Sequence, residues 1–354
     1  MVKIAKIHII GGGIAGLASG YFAHKRFPFA EIHIYEASKN IGGRCQTFYS
    51  SKLDIELDNA THVILGGNKY ARQFLRNIEF IRYPYFCDMN NQKVDAKRFL
   101  HSELILRSIF NSDAKSVDWG SKLNLCTKLF PYFSSQLKIF YSQHNLQQKL
   151  ISPLSCPEVN IHNNMLLRGF RVTAGNITSL IFKRGEVDVA TNDIVISALD
   201  AHNYHKIFGG AEFDYNRIVN IFYRTSQKLA LPSNANMLGI ENADFDWLFA
   251  TDNTIGVTIS NVDKQKCCDE AWAIDIWKQI CRIRNVKAAF VPAFQILDYP
   301  RATIAQDKIN NQKRPQSAKG PYANLLIAGD WTMKNWPCCI ESAIVSATRA
   351  INSI

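Results

Sequence analysis

The chain has 354 residues, 47% hydrophobic and 20% charged, with a formal net charge of +11. That much apolar sequence can bury a sizeable core, and no run approaches the roughly 20 consecutive apolar residues that a membrane-crossing helix needs. The nine cysteines are odd in number and lack paired Cys-x-x-Cys spacing, so neither a disulfide framework nor a structural zinc site is expected. The basic residues are scattered rather than clustered, which leaves nucleic-acid binding resting on net charge alone, and it is not expected. The charged start Met1–Lys6 runs straight into a strand-like segment instead of a signal-peptide core, so the expected location is cytoplasmic.

Ile7 to Ile10 reads as a buried parallel strand that turns through Gly11, Gly12 and Gly13 into helical spacing. Gly11, Gly13 and Gly16 fit a G-x-G-x-x-G fingerprint, with Ile14 and Ala15 opening the helix. Gly11 permits the tight turn, Gly13 lets a pyrophosphate approach the backbone, and Gly16 lets the helix pack against the strand. The phosphates then sit on the free amides of the helix N-terminus. A second strand, Glu31 to Tyr35, ends at Glu36, about 20 residues beyond Gly16, where an acid accepts hydrogen bonds from a ribose diol. An acid at this position favours an unphosphorylated ribose, hence NAD or FAD over NADP.

The next segment, EASKNIGGRCQTF, places Gly42, Gly43 and Arg44 directly after Glu36. With these residues the chain resembles the FAD-dependent amine oxidase and phytoene desaturase superfamily. The resemblance implies an α/β chain with a Rossmann-like FAD-binding domain of the GR2 type and an inserted, partly helical α+β substrate domain. It also implies that Gly42 and Gly43 approach the FAD backbone and that Arg44 lies near the diphosphate and the flavin.

The stretch LDIELDNATHVILGGNKYARQFLRNI, with Asp58, Asn59, His62 and Gly66-Gly67, resembles the squalene-associated branch, the hydroxysqualene dehydroxylases. That narrower resemblance implies that hydroxysqualene loses its allylic hydroxyl and receives a hydride, giving squalene. Departure of hydroxide needs a proton donor, and His62 is the candidate catalytic residue, with a structural role as the alternative.

Residues from about Tyr70 to Asn160 contain helical spacing, for instance Phe99, Leu100, Leu104, Ile105 and Ile109, and Leu123 to Tyr141 is rich in aromatics. They are assigned to the substrate domain. An isoprenoid drawn from a bilayer needs an apolar entrance with a basic rim, which Lys97, Arg98 and Arg107 would supply in a peripheral contact on the inner face of the membrane. RVTAGNITSLIF and EVDVATNDIVISALDAH alternate apolar and polar residues, predicting a small hairpin and then a strand over Asp193–Ala198. By the resemblance, Val172 lies near the adenine. The middle of the chain is short for the branch. Ala305 to Pro321 is polar and breaker-rich and reads as a surface loop.

The C-terminal NLLIAGDWTMKNWPCCIESAIVSATRAI reads as a strand over Leu325–Ala328, a turn at Gly329-Asp330 and a helix over Ile340–Ile351. In the superfamily this acid reaches the ribityl or diphosphate part of FAD, and the helix opened here by Ile340 points its N-terminus at the flavin. The positive end of a helix suits an anionic reduced flavin and the acid Glu341 in its first turn. Trp331 and Trp336 either line the flavin cavity or simply pack. Ser342 and Ala347 stand where the branch tends to have glycine.

The expected organisation is an FAD-binding domain over 1–69, 161–205 and 290–354, with a shortened substrate domain over 70–160 and 206–289. Three functions compete: an FAD oxidoreductase acting on an isoprenoid, a flavin enzyme acting on an amine or a carotenoid precursor, and a decayed member that binds FAD without catalysis. Metal- and nucleophile-based hydrolysis are not expected, because neither a His-x-x-x-His spacing nor a Gly-x-Ser-x-Gly elbow occurs.

Overall fold

The apolar run at the N-terminus becomes β1 (Lys6–Ile10), the middle strand of five parallel strands. The computed structural model describes residues 4–65, 67–75, 80–81, 85–93, 103–124, 139–141, 147–288 and 290–354. On one side of β1 lie β2 (Glu31–Tyr35) and then β9 (Asn160–His162); on the other lie β13 (Ile194–Ser197) and then β19 (Leu325–Ile327). A parallel centre of this kind is covered on both faces, which is why β1 is almost unbroken in its hydrophobicity.

The alternation of β1 decides which residue meets which layer. Ile7 and Ile9 enter a core with Leu17 and Ala18 of α1 (Ile14–Arg26) and with Ile344, Ala347 and Ile351 of α7 (Ile340–Asn352). Ile10 points the other way, into a core with Ile177 and Leu180. Those two belong to β11 (Asn176–Phe182), the middle of an antiparallel meander with β10 (Leu167–Thr173) and β12 (Gly185–Asp188). The expected hairpin therefore carries a third strand. Each isoleucine buried in this way contributes about 1.5–3 kcal/mol.

The second unit is a six-stranded sheet in the order β18, β14, β17, β16, β15, β7. Its strands span Phe294–Ile304, Tyr215–Arg224, Thr254–Val262, Trp247–Ala250, Met237–Glu241 and Tyr85–Asp88 respectively. The amphipathic α5 (Glu270–Ile283), N-capped by Asp269, buries Trp272, Ile276, Trp277 and Ile280 with Val219 and Tyr223 of β14. On the opposite side, Phe222 packs with Leu53, Ile55 and Leu57, at the hairpin of β3 (Thr47–Ser50) and β4 (Ile55–Asp58). A three-stranded sheet joins β5 (Val63–Leu65), β8 (Ile139–Tyr141) and β6 (Phe80–Ile81).

Short helices complete the chain: α2 (Lys69–Arg72), α3 (Glu103–Phe110), α4 (Ala201–Phe208) and α6 (Lys308–Lys313). No helix among the described residues is long and apolar enough to cross a membrane. α3 falls where the spacing of Leu104, Ile105 and Ile109 predicts a helix, while Phe99, Leu100, Lys97, Arg98 and Gly66 lie outside the described residues, as does most of the aromatic stretch after Leu123.

Two expectations need correction. Residues 290–304 do not return to the nucleotide sheet: β18 is hydrogen-bonded along β14 from Tyr215↔Ile304 to Tyr223↔Phe294, so the chain crosses back only after Ile304. Residues 305–321 are a surface loop only in part: Lys308–Lys313 form α6, and one side of the segment is buried. Gln306, Asn310, Asn311 and Arg314 are 0–3% exposed, because Gln306, Asn311 and Arg314 bond the segment leading into α7 and Asn310 bonds Asp214 and Asp307.

Candidate functional site: a dinucleotide cradle closed by the C-terminal turn

The glycine turn after β1 is built by steric necessity. Gly11 sits at φ +105° and donates its amide to Tyr35 O at 2.8 Å. A Cβ on Gly16 would lie 1.8 Å from Gly11 O, so α1 can start this close to the strand only with glycine there. Gly13 caps α1 without a side-chain partner, and the first turn holds no acid. The amides of Ile14, Ala15 and Gly16 therefore have no intrahelical acceptor and carry the positive end of the helix, a ready site for a diphosphate.

Glu36 is held at the rim of this turn. One carboxylate oxygen accepts from Gly12 N at 2.7 Å and the other from Ser38 N and Ser38 Oγ, both at 2.8 Å. Gly42 donates to Gly12 O at 2.8 Å and forms a bridge to Gly13. Gly43, at φ +60°, comes so near that an added Cβ would stand 3.1 Å from Gly13 Cα. The second glycine pair thus docks directly on the first turn, and a side chain on Gly43 would press against Gly13.

Arg44 links the two ends of the chain. Its Nη2 donates to Asp330 Oδ1 at 2.6 Å and its Nη1 to Ala302 O at 2.7 Å. Asp330 is 5% exposed, and its charge holds the guanidinium above its usual pKa. Asp330 follows Gly329, whose φ of +143° is open to glycine alone. The Gly329 amide donates to Ser346 Oγ on α7 at 2.8 Å, fixing the turn over that helix.

His62 lies behind Arg44. Its Nε2 donates to Asn59 Oδ1 at 3.3 Å, Asn59 Nδ2 donates to Arg44 O at 2.6 Å, and the His62 Nδ1 is 3.9 Å from Cys45 Sγ. Burial pushes the imidazole down to about 4. It is therefore neutral near neutral pH.

The other expected residues each have their own surroundings. Val172 is 42% exposed and pairs with Ile177 one step from the tip of the β10–β11 hairpin. Met165 lies against Glu36, its amide donating to Glu36 O at 2.7 Å, while Glu36 N donates to His162 O. Trp331 packs: it is 4% exposed, donates to Leu199 O at 2.9 Å and contacts Tyr204 and Phe213. Glu341 is also buried, accepting from Tyr70 N at 3.0 Å and Ala71 N at 2.7 Å, and so caps α2; burial raises its pKa against those amides. Ser342, the residue in place of glycine, folds its hydroxyl back to accept from Cys339 N at 3.0 Å and donate to Pro337 O at 2.8 Å.

Arg314 went unnoticed in the sequence. Its Nη1 donates to Met333 O at 2.6 Å and Trp336 O at 2.8 Å, its Nη2 reaches Cys338 Sγ at 3.4 Å, and Asn311 bonds Asn335 and Asp118 nearby. Only a caution was readable in advance: a run of polar residues is solvated unless its partners are elsewhere in the chain.

The glycine turn before α1, Glu36 held at its rim, the second glycine pair docked on it and the buried Asp330 beside Arg44 together form a cradle of the dinucleotide-binding kind. The chain belongs to the flavin containing amine oxidoreductase family, which matches residues 143–353, and an NAD(P)-binding Rossmann-like domain matches residues 9–78. It is a flavin-dependent oxidoreductase.

Among similar proteins, hydroxysqualene dehydroxylase of Zymomonas mobilis is 26% identical over 97% of both chains, and that of Rhodopseudomonas palustris 24% over 98% of both. The first alignment runs over 412 positions, so this relative carries internal sequence that the 354-residue chain lacks. The fold is shared with an oxidoreductase from Methanosarcina mazei (TM-score 0.73, 12% identity, 98% of this chain and 100% of that one). It is also shared with a putative protoporphyrinogen oxidase from Exiguobacterium (TM-score 0.68, 13% identity, 99% and 98%).

Proposed function

We propose that the protein binds FAD and acts on an isoprenoid lipid, reducing hydroxysqualene to squalene with loss of the allylic hydroxyl. The observation that carries this reading is the end-to-end similarity to hydroxysqualene dehydroxylases. The cradle supports an unphosphorylated dinucleotide: Glu36 has no basic residue among its hydrogen-bond partners, and the flavin family of the chain supports FAD as that dinucleotide.

Bound FAD would supply the hydride chemistry; the chain's own residues orient and insulate it. The amides of Ile14, Ala15 and Gly16 would hold the diphosphate, Glu36 the ribose, and Arg44 with Asp330 the stretch towards the ring. Hydroxide still needs a proton, and neutral His62 is better suited to positioning Asn59 and the Arg44 backbone than to giving one. A peripheral membrane contact belongs to this proposal, but Arg107 does not form its rim. It donates to Ser260 O at 3.0 and 2.6 Å and stands 3.6 Å from Asp246.

The test is the visible spectrum of the purified protein, chromatographic identification of the released cofactor, and anaerobic addition of hydroxysqualene to the chemically reduced protein. Reoxidation of the flavin as squalene appears supports the reading. Bound FAD without reoxidation removes the substrate assignment and favours an amine or carotenoid-type substrate. A protein that cannot take up FAD at all is a decayed relative, a reading that the missing internal sequence favours.

A further inference from the structure

Away from the cradle, the last turns of α1 face the loop that leads into β9. There His24, Cys156 and Glu158 bring an imidazole nitrogen, a thiol sulfur and a carboxylate oxygen within 4.8 Å of one another, the one such group of three among the described residues. Cys156 Sγ donates to Glu158 Oε2 at 2.9 Å. His24 and Cys156 are half-buried, and Glu158 is exposed and leaves one side of the group open to water.

The three donors differ in kind, and that decides which ion suits them. Calcium and magnesium take oxygen sets, whereas a thiolate with an imidazole and one carboxylate suits zinc in tetrahedral geometry. We propose that His24, Cys156 and Glu158 bind one Zn2+ ion, with water as the fourth ligand. On binding, the Cys156 S–H bond breaks, the sulfur pair forms the bond to zinc, and the proton leaves to solvent.

The position of the group gives the ion a structural consequence. α1 begins at the phosphate-binding turn, and β9 lies beside β2, with His162 O accepting from Glu36 N at 2.9 Å. A zinc ion would tie the far end of that helix to the strand that supports the ribose acid. This inference does not depend on the substrate assignment.

The full-length flavin-loaded protein is titrated with Zn2+ in competition with a chromophoric chelator and, separately, with Co2+ while thiolate-to-cobalt charge transfer is recorded. One equivalent binds, the charge-transfer band appears, and the thermal midpoint rises by several degrees. In Cys156→Ser the band disappears, and in both Cys156→Ser and His24→Ala zinc affinity falls at least about tenfold. Their unchanged circular dichroism in metal-free buffer reports folding. The adjacent cysteines Cys267 and Cys268, of which the first is exposed, are the competing site. A band that survives Cys156→Ser but is lost in the Cys267→Ser/Cys268→Ser double variant, or the absence of any zinc effect, overturns the proposal.

Discussion

Gly16 leaves no room for a methyl group, and Arg44 pairs with the buried Asp330 at 2.6 Å; both positions make sharp tests. Gly16→Ala places a Cβ 1.8 Å from Gly11 O, so the turn must open, at a cost of roughly 3 kcal/mol or more, and FAD retention in gel filtration should be lost. Arg44→Met strands a carboxylate that is 5% exposed. Because the arginine side chain is itself half exposed, the expected loss is modest, about 1–3 kcal/mol in urea unfolding. The larger effect should be on flavin release.

The histidines make stability depend on pH. Burial lowers His62 to about 4 and also lowers His8 and His162, whereas an unfolded histidine titrates near 6.5. The unfolded chain therefore binds protons first as pH falls. Stability is fully present above about 6.5 and is lost down to about 4, His62 accounting for at most about 3 kcal/mol. Urea midpoints between pH 7.5 and 4.5 check this: His62→Gln should flatten part of the slope, and an unchanged slope removes His62 as its source.

At the scale of elements, α6 and α7 show how a polar segment becomes a structural part. Arg314 lies in a stretch whose composition suggests solvent, yet it is 1% exposed and satisfies carbonyls at Met333 and Trp336. Replacing it with methionine removes those hydrogen bonds and should cost about 2–4 kcal/mol. Hydrogen exchange should then rise first in the segment leading into α7. Ser342 is a milder case. Its hydroxyl closes the first turn of α7, so Ser342→Gly should lower stability by about 1 kcal/mol and leave flavin binding intact. Loss of flavin on that change would mean that the hydroxyl does more than cap.

At the scale of the whole molecule, the cradle joins residues near the start of the chain to Asp330 near its end, so ligand and fold are coupled. FAD bound only by the folded state raises the thermal midpoint with concentration. A midpoint insensitive to added FAD would contradict the assembled site. The nucleotide half was legible because its rules are local: a glycine is required where a Cβ collides, an acid ends a strand, and an apolar run makes a central strand. Gly11, Gly13, Gly16 and Glu36 could therefore be picked out one by one, whereas Gly42, Gly43, Arg44, Gly329 and Asp330 were singled out by the resemblance to the flavin superfamily.

What the sequence by itself determined is thus the strand β1, the glycine turn and the acid that ends β2, since each follows from sterics and hydrogen bonding within a few residues, while the flavin followed from the resemblance. Only the tertiary structure decided that Met165 meets Glu36, that Phe294–Ile304 belongs to the second sheet, that Glu341 caps α2 and that Arg314 is buried. It alone brought His24 to Cys156 and Glu158. The physical reason is common to all of these. Each depends on a partner far along the chain, and a polar side chain carries no mark of whether water or a distant carbonyl will satisfy it.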